Sequence, residues 1–119
     1  VLRAFIAHPT YVNSTEAIRA GQLLASRLFQ KDVYTDLKSP TAWETFSYPF
    51  WNTDLISSTT ILAKLGFDKH DGSVQGALEW LLDKQTPGGL FDVHKNHDRY
   101  HDQGLWLTLA ICRILKKLE

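Results

Sequence analysis

A chain of 119 residues, 44% hydrophobic and 22% charged, has the composition of one globular domain or a piece of one. Its 13 basic and 13 acidic side chains cancel, and no basic run breaks the balance, so nothing in the charge draws it to nucleic acid or an acidic membrane. One cysteine, Cys112, excludes an intrachain disulfide and fits a reducing, cytoplasmic compartment, and no apolar run approaches the roughly 20 residues that span a bilayer.

The chain contains no methionine, which points to the C-terminal part of a longer protein, missing its N-terminal part. Val1 to His8 reads as the end of a helix, stopped by Pro9. Asn13-Ser14-Thr15-Glu16 is a helix-start signal, with Asn13 as cap and Glu16 placed to bond back. Ile18, Gly21, Leu24, Ala25 and Leu28 then mark the apolar face of an amphipathic helix over 14–30.

A long connection follows, rich in rings at Trp43, Phe46, Tyr48, Phe50 and Trp51. Pro40 is placed to open a short helical turn carrying Trp43 and Phe46, and the rings are expected to plug space between helix layers. The next helix, over 52–65, has Asn52 or Thr53 as cap, Asp54 in its first turn and Gly66 just past its end. With only Asp54 and Lys64 charged, it reads as buried on most sides.

Over 71–85 the pattern is amphipathic again, with Asp71 or Gly72 at the start and Pro87-Gly88-Gly89 after the end. Val74, Ala77, Leu78, Leu81 and Leu82 form its apolar stripe, with Trp80 at the edge. A polar connection leads to a last helix over 103–118, whose only charge before Lys116 is Arg113 and which reads as buried nearly all round. Amphipathic helices thus alternate with apolar ones, as an outer and an inner layer require. Ala20, Leu23 and Leu24 match Ala77, Trp80 and Leu81, and Ile61 and Leu65 match Ile111 and Leu115, at a spacing of about 50 to 57 residues.

Ala77, Trp80-Leu81, Gln85, Gly89 and Phe91 together resemble the glutamine–tryptophan repeat motif of squalene cyclases and their prenyltransferase-type relatives. Gln75-Gly76 stands where that motif has a basic residue, and Phe91 where it has tryptophan. The segment from Trp43 to Leu55 resembles the loop into an inner helix of this family, and Leu105-Trp106-Leu107-Thr108-Leu109-Ala110 its last inner helix. The resemblance implies an all-α fold, an α/α double-layered toroid built of helical-hairpin repeats. This chain would supply one sector of the ring. In that family the motif is structural: its glutamine ties one helix end to the next and its aromatic stacks beneath.

By the same resemblance, a cavity opens where inner helices begin, which points to Trp51, Asn52 and Asp54, and to His101, Asp102, Gln103 and Trp106. Asp54 and Asp102 are then candidate general acids, with Trp51, Trp106 and His101 lining the substrate site. An aspartate at a helix start is equally a cap, and these indoles are equally packed core. His94, His97 and His101 would share a helical face at metal-ligand spacing, but the stretch lacks a helical signal and a zinc signature, so a solvated loop is expected, with no metal and no cofactor. The Asp-x-Asp-Asp acid cluster of squalene–hopene cyclases is absent, as are a phosphate loop, a nucleophile elbow and a Cys-x-x-Cys pair.

Two functions stand open. One is an enzyme sector acting on a hydrophobic, isoprenoid-like or carbohydrate substrate; the other is a non-catalytic helical scaffold that binds a protein partner. Either way, the uncharged inner helices predict self-association or pairing with the missing N-terminal part.

Overall fold

A computed structural model describes residues 1–31, 40–46, 53–92 and 101–119, with side chains of the last segment from residue 104 onward. The described residues form five helices, α1 (Leu2–Ala7), α2 (Thr15–Arg27), α3 (Leu55–Lys64), α4 (Gly72–Asp83) and α5 (His101–Leu118), with a 3-10 turn at Pro40–Glu44. No strand occurs among the described residues, so the all-α expectation holds.

Local chemistry explains where each helix begins. Ser14, one residue past the expected Asn13, caps α2 by accepting the Ala17 N–H at 3.1 Å. The shift puts Glu16 at the second helical position, out of register for the reciprocal bond expected of it. The α3 cap is likewise displaced, from Asn52 or Thr53 to Asp54. Its carboxylate accepts the Ser57 N–H at 2.7 Å, while the Ser57 hydroxyl accepts the Asp54 N–H at 3.0 Å. Asp71 caps α4, accepting from Ser73 and Val74.

The helix ends follow the same logic. Gly66 takes φ of 91° after α3, and the following Phe67 N–H returns to the Leu62 carbonyl at 3.1 Å, satisfying an otherwise orphan acceptor. Phe29, beyond α2, holds φ of 60° without being glycine; its ring packs against the main core, which offsets the strain of that conformation.

The centre of the fold is α3, which packs against α1, α2, α4 and α5. Eight of its ten residues are buried, as its lack of charge predicts. Ile61 and Leu65 face a small cluster with Ala17, rimmed by Leu2, Phe5 and Ile6 of α1. Leu55, Ile56 and Leu62 face the larger core with Val74, Ala77 and Leu81 of α4 and Leu107, Ile111 and Ile114 of α5.

Trp43 and Phe46 seal this core from the connection between α2 and α3. The Trp43 indole N–H donates to the Gln30 carbonyl at 2.8 Å, and Phe46 lies 5.8 Å from the Trp80 ring. Both plug the core as the sequence leads one to expect; Tyr48, Phe50 and Trp51 lie outside the described residues.

Helix α5 departs from expectation. Leu107, Ile111, Ile114 and Leu118 are buried, but Leu105, Trp106, Leu109 and Cys112 are exposed. Its apolar residues go all round, yet only α3 among the described helices packs closely on it, so one side stays open.

Candidate functional site

Asp54 is the one buried ionisable side chain among the described residues, with no exposed surface. Its backbone, in extended conformation, turns the carboxylate back over the first turn of α3, where Oδ1 meets the Ser57 N–H. The second oxygen, Oδ2, is buried and makes no hydrogen bond. One turn along α3, the Ser58 hydroxyl is also buried without a hydrogen-bond partner.

The electrostatics of Asp54 follow from that geometry. Desolvation pushes its pKa above the ordinary carboxylate range, and this outweighs the Ser57 hydrogen bonds, the field of Arg3 on α1 and the Ile56 backbone N–H, which pull it down. A carboxyl raised by burial is better suited to hold and give up a proton than to act as a fixed anion. The helix-cap role is occupied at the same time, through Oδ1.

The rest of the sequence-predicted cavity mouth is only partly described. Trp51 and Asn52 lie outside the described residues, and so do His94 and His97 of the possible metal face. His101 and Asp102 fall in the first turn of α5. Trp106 is 47% exposed on α5. Among the described residues no group of His, Cys, Asp or Glu is arranged to hold a metal ion, and no helix is long and apolar enough to cross a membrane.

The glutamine–tryptophan segment builds structure. Ala77, Leu81 and Phe91 are buried, and Trp80 is half-buried between Phe46 and the Lys84 ammonium, which lies 4.9 Å from its ring centre. Gln85 and Phe91 pair through an isolated antiparallel bridge that closes the turn after α4. The Gln85 side chain is exposed, and its amide donates to the Gly89 carbonyl at 3.2 Å. A bond from this helix end to another helix was expected; the observed bond stays inside its own turn. The tie to a neighbouring helix comes instead from Phe91, whose N–H donates to Thr108 Oγ1 of α5 at 2.9 Å.

Sequence reasoning missed two features here. The Thr108 contact spans 17 residues and has no local signature. The open side of α5 was hidden because its residues are as apolar as those that are buried. The exposed face instead declares itself by register: Leu105, Leu109 and Cys112 recur at helical spacing, opposite Leu107, Ile111 and Ile114. In comparisons with protein-family models, curated proteins and solved structures, nothing matches this chain.

Proposed function

We propose that this chain is a sector of an α/α double layer of the squalene-cyclase and prenyltransferase type, acting as a scaffold that packs on another helical unit through the exposed face of α5. The observation that carries this reading is the exposure of Leu105, Trp106 and Leu109, at 47%, 47% and 40%, on one side of a helix whose other side is core. Single exposed apolar side chains are ordinary on a soluble protein, but a contiguous stripe of them marks a contact surface. The buried α3 between amphipathic α2 and α4 supports the double layer.

The test is binding of an apolar-surface dye to the purified chain at submicromolar concentration. Fluorescence should rise on addition of protein, and the double variant Leu105→Glu, Leu109→Glu should abolish the rise without loss of helical circular dichroism. No rise, or a rise indifferent to both substitutions, would refute the packing role.

A second reading is favoured by Asp54: a proton donor at the mouth of an apolar cavity, in an enzyme for isoprenoid-like or carbohydrate substrates. The raised pKa and hydrogen-bond-free Oδ2 support it. Infrared difference spectroscopy over an acid-to-neutral titration should show a protonated-carboxyl band that persists above the pH range of an ordinary carboxylate and disappears in Asp54→Asn. Absence of that band would leave Asp54 as a cap alone.

A further inference from the structure

We draw no further inference here: the strongest candidate, the apolar surface patch of Leu105, Trp106 and Leu109 along the open side of α5, carries nothing beyond its reading as a packing surface, because nothing in the structure shows what covers it.

Discussion

The backbone N–H of Phe91 donates to the side-chain oxygen of Thr108 at 2.9 Å, joining the turn after α4 to the middle of α5. Phe91 is 2% exposed, so the bond lies at the edge of the main core. Thr108→Val keeps the volume but removes the acceptor, leaving the Phe91 N–H unpaired. A loss of about 1–3 kcal/mol in urea unfolding is expected, largely recovered by Thr108→Ser. A loss for serine with none for valine would show that the methyl packing, and not the bond, is what counts.

Gln85 and Gly89 separate a side-chain contribution from a backbone one. The Gln85 amide is exposed and bonds only within its own turn, so Gln85→Ala should cost no more than about 0.5–1 kcal/mol. Gly89 holds φ of 83°, a conformation that costs an alanine roughly 1–2 kcal/mol. Gly89→Ala is therefore the more harmful change, although a Cβ there meets no neighbour within 4 Å. Thermal melts giving the opposite order would show that the glutamine has a buried partner.

Gly21 marks the closest approach of α2 to the end of α3. A Cβ on it would stand 2.7 Å from Leu65 Cδ1 and 3.0 Å from the Phe67 ring, both of which must then move. Overpacking of this kind costs about 1–3 kcal/mol, and alanine recovers about 1 kcal/mol through helix propensity. Gly21→Ala should destabilise by about 1 kcal/mol, and Leu65→Ala in the same chain should relieve part of it. A strictly additive double mutant would mean the two residues do not share this space.

Asp54 predicts a specific pH dependence. Burial raises its folded pKa above the unfolded value of about 4, so the native state holds the proton more tightly than the unfolded chain. The stability this confers is fully present below the unfolded pKa and is lost as pH rises through the folded one. Asp54→Asn keeps a good cap but cannot ionise. Its stability relative to the parent should therefore climb between acid and neutral pH, above a constant offset for the buried amide. Urea midpoints at several pH values check this, and a difference that falls with pH would reverse the sign of the shift.

Ser58 supplies the companion case. Its buried hydroxyl makes no hydrogen bond, so replacing it with alanine removes a desolvated polar group and no partner. Ser58→Ala should be neutral or stabilising by up to about 1 kcal/mol. A clear loss of stability would reveal a bond that the hydroxyl makes in solution.

Helix positions in this protein are written locally, which is why they are legible in the sequence. Asp71 before α4, Gly66 after α3 and Pro40 at the 3-10 turn act through groups a few residues away, so neighbours alone locate the elements. Where two adjacent residues qualify as a cap, as with Asn13 and Ser14, local chemistry leaves the choice to within one position. The burial of α3 was legible for a different reason: a helix with no charged face has nowhere to present to water.

Tertiary structure decided what packing decides. Leu109 and Ile111 are equally apolar, and only the placement of α3 makes one exposed and the other core. The Phe91–Thr108 bond depends on α4 and α5 lying where they do. The state of Asp54 belongs to the same class: its sequence position makes it a cap, but only the burial of its neighbourhood removes water from Oδ2 and raises its pKa. Desolvation is a property of the assembled core, and no window of sequence contains it.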